Sequence, residues 1–217
     1  CGQDGAIDFL KPGSIIIDHT TTSSDLAIEL SSLLKPKKIS FIDAPISGGQ
    51  SGAESGKLSI MIGGERQSYE KVKNVLNTYS KFYKYMGPSG SGQLTKMVNQ
   101  ICIAGLIQAL SEGMNFADKV GLNIRSVIEV ISKGAAQSWQ MENRWETMLK
   151  DNYDHGFAVD LMKKDLDIVI KKASKENINI EVTKIIDNYY KEIQGAGGGK
   201  WDTSSPVSYT HLRAHET

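Results

Sequence analysis

Apolar and polar residues follow two different rhythms along the chain. The run SIIIDHT at 14–20 is β-branched and continuous, with Lys11-Pro12-Gly13 before it and a Thr/Ser cluster after, and it predicts a buried strand. Over 24–35, Leu26, Ala27, Leu30, Leu33 and Leu34 recur at helical spacing, with Ser23 or Ser24 as the N-cap. Residues 39–46 and 57–64 predict two further strands. Residues 65–80 predict an amphipathic helix with Tyr69, Val72, Val75 and Leu76 on one face, and 82–87 a last short strand. Strands alternating with helices imply a mostly parallel sheet.

Beyond residue 87 the rhythm becomes purely helical. From Gly92 to Lys119 no proline interrupts a pattern that includes Leu94, Val98, Ile101, Leu106, Leu110, Met114 and Ala117. Such a helix would be about 40 Å long, enough to traverse a domain. Gly121 suits the position after its C-terminus. Helices are further predicted at 123–133, 138–150, 158–175 and 181–194. The fold class is therefore α/β followed by all-α: residues 1–90 are part of a parallel-sheet domain and 91–203 a helical domain. Residues 204–217 follow the Gly-rich run 195–199, lack apolar periodicity, and are expected to be a non-native or disordered tail. The opening CGQDG carries neither initiator Met nor signal peptide, and the chain is expected to start inside an α/β unit.

Composition narrows the function classes. Across 217 residues, 25 Lys+Arg balance 25 Asp+Glu, which removes the main electrostatic reason to bind nucleic acid or an anionic membrane. The richest apolar stretch, ICIAGLI at 101–107, falls far short of the ~18 residues a membrane helix needs. Two cysteines, Cys1 and Cys102, make no disulfide framework and fit a reducing, cytoplasmic setting. Cys102, in an apolar helix, is expected to be inert. The four histidines show no HExxH spacing, and HLRAHE at 211–216 lies in the expected tail, so no metal site is predicted. Trp139 and Trp145, with Met141 and Met148, read as core or subunit contact.

Three strings can carry chemistry. In DAPISGG, 43–49, a strand ends, and ligands of open parallel sheets sit beyond the carboxyl ends of strands. Ser47 offers a hydroxyl there, and Gly48 and Gly49 leave backbone N–H groups free for a carboxylate or phosphate; a plain Gly-Gly turn is the alternative. In GPSGSGQLTKMVNQ, 87–100, glycines open the long helix, and Lys96 and Asn99 share a face three residues apart. A lysine desolvated near a helix start has its pKa lowered toward acid/base use, whereas a surface lysine is the alternative. The GK[ST] ending of a phosphate loop is absent. In GFAVDLMKKDLDIV, 156–169, Phe157, Leu161, Leu166 and Ile168 would pack, and Lys163, Lys164 and Asp165 form a charged step that alone reads as a solvated face.

Taken together and in order, GSIIIDHTTTSS, DAPISGGQSGAESGKLSIMIGG, GSGQLTKMVNQ and GFAVDLMKKDL resemble the β-hydroxyacid dehydrogenases. That group contains 3-hydroxyisobutyrate dehydrogenase, tartronate semialdehyde reductase and the glyoxylate/succinic semialdehyde reductases. The resemblance runs from about residue 5 to 203. It implies a partial Rossmann-type dinucleotide-binding domain, a helical substrate and oligomerisation domain built on a long interdomain helix, and an active site between the two. It implies NAD or NADP as cofactor, a small hydroxy acid or semialdehyde as substrate, and a homo-oligomer. By position, Lys96 corresponds to the catalytic lysine that exchanges a proton with the substrate oxygen. Asn99 would hydrogen-bond the substrate, and Ser47, Gly48 and Gly49 would hold its carboxylate. Thr21 would lie near the nicotinamide and Lys164 near the cofactor, with Phe157 and Asp165 closing the far wall of the cleft on the cofactor side.

Departures accompany the resemblance. His19 stands where Met or another uncharged residue is frequent, Ser24 replaces a frequent Pro, and Gln100 stands where many members carry a second Asn. The G-x-G-x-x-G turn that cradles the pyrophosphate is expected to precede residue 1, so the chain as given is expected to hold cofactor weakly and to be inactive. The related 6-phosphogluconate dehydrogenases favour Lys-x-x-His-Asn where this chain reads Lys-Met-Val-Asn-Gln, and Arg125 and Arg144 look isolated rather than part of a phosphate-binding cluster. A non-catalytic oligomerisation or cofactor-sensing module is the remaining alternative. It has no use for Lys96, Asn99 and Ser47.

Overall fold

A computed structural model describes residues 5–206 of the chain. Two compact units divide between Val98 and Asn99.

The first unit is a five-stranded sheet with three helices. Its strands are β1 (Ile15–Asp18), β2 (Ser40–Asp43), β3 (Ile46–Ser47), β4 (Leu58–Gly64) and β5 (Ser80–Gly87). α1 (Ser24–Leu34) follows β1, α2 (Gly49–Glu54) follows β3, and α3 (Arg66–Leu76) links β4 to β5. β1 pairs in parallel with β2 and β4 in parallel with β5, while β2 and β3 each meet β4 antiparallel over two residues. The sheet is thus mostly parallel, with its direction reversed once between β2 and β4. Ile42 faces Gly64, Asp43 faces Gly63, Ile46 faces Ile60 and Ser47 faces Ser59, so one register runs unbroken through both short strands. They are one extended stretch, interrupted at Ala44-Pro45 because proline has no N–H for the ladder. Pro45 still accepts from the Met61 N–H at 3.0 Å, and the Ala44 N–H turns to Asp18 on β1.

Ile42, Ala44, Leu58, Ile60, Ile62, Tyr69, Val72 and Leu76 form the core between sheet and α3; Ala27, Leu34, Ile39 and Phe41 form a second under α1. Each fully buried aliphatic side chain among them stabilises by about 1.5–3 kcal/mol relative to exposure. Ser23 caps α1, its Oγ accepting from the Leu26 N–H. The face α1 buries differs from the expected one: Ser24, Ala27 and Leu34 are buried, whereas Leu26 and Leu33 lie exposed. The burial stripe runs along the i, i+3, i+10 line set by the cap, and the leucines beside it fall outside. Val75 of α3 is likewise exposed. Helix α2 was not expected, since GQSGAE is poor in helix formers; Gly48 and Gly49, at φ +129° and +60°, give the turn into it.

Helix α4 (Ser91–Lys119) begins in the first unit and continues into the second. The second unit adds α5 (Ile124–Ile131), α6 (Trp139–Leu149), α7 (Val159–Lys175) and α8 (Glu181–Gly195). Asn123 caps α5 and Ser138 caps α6 through side-chain oxygens. Gly121, at φ +77°, ends the α4 turn as its position predicts. Leu110, Met114, Ile128, Met141, Trp145, Met148 and Tyr153 make one core; Ala104, Val159, Met162, Leu166, Ile186, Tyr190 and Ile193 make the other. Trp139 stays outside both, and Cys102 is exposed on α4 rather than enclosed among apolar neighbours.

The segment after α8 is packed. Val159 N–H donates to Trp201 O, Thr203 N–H to Phe157 O, and the buried Tyr190 hydroxyl to Thr203 O. Ser204 and Ser205 are fully buried, and Ser204 bonds Asp202 through both N–H and Oγ. Residues 204–206 therefore belong to the helical unit, whereas the rest of the expected tail, with His211 and His215, lies outside the described residues. Among the described residues no helix is long and apolar enough to cross a membrane.

Candidate active site

Lys96 is 7% exposed, and its Nζ donates to the Ile46 carbonyl at 2.8 Å. Ile46 directly precedes Ser47, so the ammonium is held one residue, about 3.8 Å between Cα atoms, from the Ser47–Gly49 turn. Ser47 is half-buried, while Gly48 and Gly49 are exposed with their N–H groups at the start of α2. A side chain on Gly49 would enter open space, so the turn is accessible to a ligand. The lysine predicted for acid/base work and the turn predicted for carboxylate binding are neighbours.

What holds Lys96 there is the N-terminus of α4, fixed by a buried carboxylate. Asp43, at the end of β2, is wholly buried; its Oδ1 accepts from Gly90 N–H at 2.8 Å and its Oδ2 from Gln93 N–H at 3.0 Å. A negative group against the first amides of a helix is favourable. Burial pushes the Asp43 carboxyl above its ordinary pKa, opposed by the backbone N–H bonds from Gly90 and Gln93. The approach is close enough to require glycine. A Cβ on Gly92 would lie 2.5 Å from Met61 O and 2.6 Å from Asp43 O, and one on Gly63 2.5 Å from Asp43 Oδ1.

Gln93, also buried, carries the same scaffold to the loop after β1. Its Nε2 donates to Thr20 O at 2.8 Å and its Oε1 accepts from Thr22 N–H at 3.0 Å, so half-buried Thr21 is clamped on both sides. His19 ties that loop to the same segment as Lys96. A carbonyl only accepts, so His19 Nδ1–H donates to Ala44 O at 2.6 Å, and the Tyr79 hydroxyl at 3.0 Å meets Nε2. Burial raises the Tyr79 pKa, which keeps its proton in place.

In the helical unit, Asn99 Nδ2 donates to Gln100 Oε1 at 2.8 Å, and Gln100 Nε2 donates to Asp165 Oδ2 at 2.7 Å. Asp165 is buried on α7 and paired with the exposed Lys164 at 3.0 Å. Its carboxylate thus faces inward, to Gln100, rather than outward as a cleft wall. Phe157 is half-buried against the Ala104–Leu166 core, and its N–H donates to Asp202 Oδ2. Asp202, almost fully buried, also receives Arg144 at 3.3 Å; Arg144 lies over the Trp139 ring and Arg125 over Trp145, so neither arginine is isolated. No cluster of metal-ligating side chains occurs among the described residues.

Sequence reasoning gave no role to Asp43, Gln93 and Gln100. All three stand inside strings already singled out, and the available signal was a polar residue at the end of an apolar strand for Asp43 and on the long helix for Gln93 and Gln100. Their partners, 47 to 73 residues away, had none.

Comparison with known proteins agrees across both units. Residues 90–210 match the family described as NAD-binding of NADP-dependent 3-hydroxyisobutyrate dehydrogenase, and 1–87 the NAD binding domain of 6-phosphogluconate dehydrogenase. The chain is 50% identical over 204 residues to an uncharacterized oxidoreductase of Shewanella frigidimarina, covering 94% of this chain and 70% of that one. It is 31% identical to the 2-hydroxy-3-oxopropionate reductase of Escherichia coli over 99% of this chain and 73% of that one. The crystal structure of 3-hydroxyisobutyrate dehydrogenase from Salmonella typhimurium superposes with a TM-score of 0.86 at 29% identity, over 95% of this chain and 73% of that one. With a Rossmann-like sheet, a helical unit and both family matches in register, the chain belongs to the β-hydroxyacid dehydrogenase family, oxidoreductases that use NAD or NADP.

Proposed function

We propose that this protein transfers a hydride between NAD or NADP and a small β-hydroxy acid or semialdehyde, with Lys96 as general acid/base. The carrying observation is the buried Lys96 ammonium fixed on Ile46 O beside the Ser47–Gly49 turn. An amine largely stripped of water gives up and regains a proton at a substrate oxygen more readily than one in bulk solvent. Ser47 Oγ and the Gly48 and Gly49 N–H groups would bind the substrate carboxylate and so set the distance to Lys96. Asn99, three residues further along α4, would hydrogen-bond the same substrate.

Bound nicotinamide supplies the hydride acceptor or donor. The Thr20–Thr22 loop suits its ring end. It is uncharged, carries hydroxyls, is held rigid by Gln93, and follows the carboxyl end of a parallel strand. Thr21 would touch the nicotinamide, and Lys164 and Phe157 would serve the cofactor. A non-catalytic module would gain nothing from burying a lysine amine, which is costly without a use. The exposed apolar residues Leu94, Val98, Leu106 and Phe116 of α4 support a homo-oligomer, and the low cysteine content supports a reducing compartment.

The test is turnover in the active enzyme with NAD+ and NADP+ against 3-hydroxyisobutyrate and related short hydroxy acids, and with the reduced cofactors against 2-hydroxy-3-oxopropionate. Turnover of at least one pair is expected. Cofactor binding with no turnover across the panel would contradict the reading.

A further inference from the structure

The amides of Asn99 and Gln100 are oriented by a fixed group. Asp165 is paired through Oδ1 with the Lys164 ammonium at 3.0 Å and accepts through Oδ2, so the end of Gln100 that lies 2.7 Å from Oδ2 is Nε2, the donor. The other end is then Oε1, an acceptor, and the Asn99 atom 2.8 Å from it must be Nδ2. Asn99 Oδ1 is left turned away from this chain of bonds. Among the described residues it makes no hydrogen bond, and Asn99 is half-buried. Gln100 has little freedom to reverse: it is 2% exposed, and its Nε2 also lies 3.8 Å from Met162 Sδ. Reversal would set its oxygen against the buried Asp165 carboxylate and leave a buried donor facing Asn99 Nδ2, two unfavourable contacts at once.

We propose that Gln100 is a positioning residue. It passes the polarity set by Asp165 to Asn99, so that Asn99 presents its carbonyl oxygen and accepts a hydrogen bond from the substrate's hydroxyl. The proposal rests on the reading that Asn99 meets the substrate, and it adds a selection. An outward acceptor favours substrates that carry a hydroxyl donor, such as hydroxy acids and hydroxy-semialdehydes, over analogues whose corresponding group can only accept. Asp165 is in this account the anchor of the relay rather than a group that touches cofactor.

A double-mutant cycle separates relay from plain helix-to-helix bonding. Gln100→Met keeps the volume and removes both hydrogen bonds; Asn99→Ala removes the end of the relay. Gln100→Met should lower kcat/KM for a hydroxy acid about tenfold, and in the Asn99→Ala background it should cause no further loss, because residues acting as one unit are not additive. Losses that multiply would mean that Gln100 acts otherwise, and would overturn the proposal. A second readout needs no turnover: the side-chain 1H–15N signals of Asn99. One Nδ2 proton should be protected from solvent exchange, and Gln100→Met should abolish that protection. An Asn99 amide whose two protons exchange freely would overturn the relay even in an active enzyme. Protected signals in an enzyme that turns over no hydroxy acid would leave the relay standing and refute the proposed function instead.

Discussion

Asp43→Asn is the sharpest test of how the sheet unit holds its lysine. The substitution keeps the shape and exchanges one carboxylate oxygen for an NH2 group. Two backbone N–H groups, those of Gly90 and Gln93, point at the two oxygens, so one of them would face a donor. A buried amide left without an acceptor costs about 1–3 kcal/mol. Loss of the negative charge at the α4 N-terminus adds about 0.3–1 kcal/mol. Burial of the charge offsets part of this, since the Asp43 carboxyl is already pushed above its ordinary pKa. The net destabilisation is about 1–3 kcal/mol, local to the start of α4. With two compact units a single melting transition is not assured, so amide hydrogen exchange is the suitable assay. Gly90 or Gln93 should exchange about 5- to 150-fold faster in the variant, with α8 unchanged. Unaltered protection at both amides would refute the claim that Asp43 fixes this helix start.

Two more perturbations probe the packing. Gly92→Ala should destabilise by about 1–3 kcal/mol in a thermal or denaturant scan, although alanine in a helix normally gains about 1 kcal/mol over glycine, because the added Cβ meets backbone oxygen at 2.5 Å; a gain in stability would contradict the close approach. Lys163 bridges Asp167 at 2.6 Å and Asp187 at 3.2 Å. Burial lowers its pKa, but those two carboxylates outweigh it and hold the ammonium above the ordinary lysine value. The stability this confers is full below the unfolded lysine pKa and is lost as pH rises through the folded one. Lys163→Met should therefore cost about 1–3 kcal/mol at neutral pH, between the surface and buried limits, and should blunt the alkaline loss of stability seen by denaturation across pH; identical alkaline profiles would argue against it.

Much of the architecture was legible because the apolar rhythm is strong where elements are long. The 92–119 helix, the 158–175 helix and the 57–64 strand lie within two residues of their expected bounds. What escaped depends on contacts distant in sequence. The exposure of Leu26 and Leu33 follows from how α1 sits on the sheet, which periodicity alone does not contain. The reversed direction of β4 follows from the register through Pro45, and a short GQSGAE segment carries no helical rhythm to reveal it. At the site, the types and order of Ser47, Gly48, Gly49, Lys96 and Asn99 could be read from motifs. The groups that orient them could not. Asp43 reaches Gly90 across 47 residues, and Gln100 reaches Asp165 across 65. A polar residue in such a place looks the same in sequence whether it is solvated or buried with a partner.

The decisive measurement is the turnover number of Lys96→Ala in the active enzyme, with NAD(P)+ and its preferred hydroxy acid, alongside circular dichroism to establish that the variant is folded. If the buried amine on the Ile46 carbonyl handles the proton, kcat falls by about 10²–10⁴ while the fold persists. Turnover close to that of the unmutated enzyme, in a folded variant, would contradict the assignment.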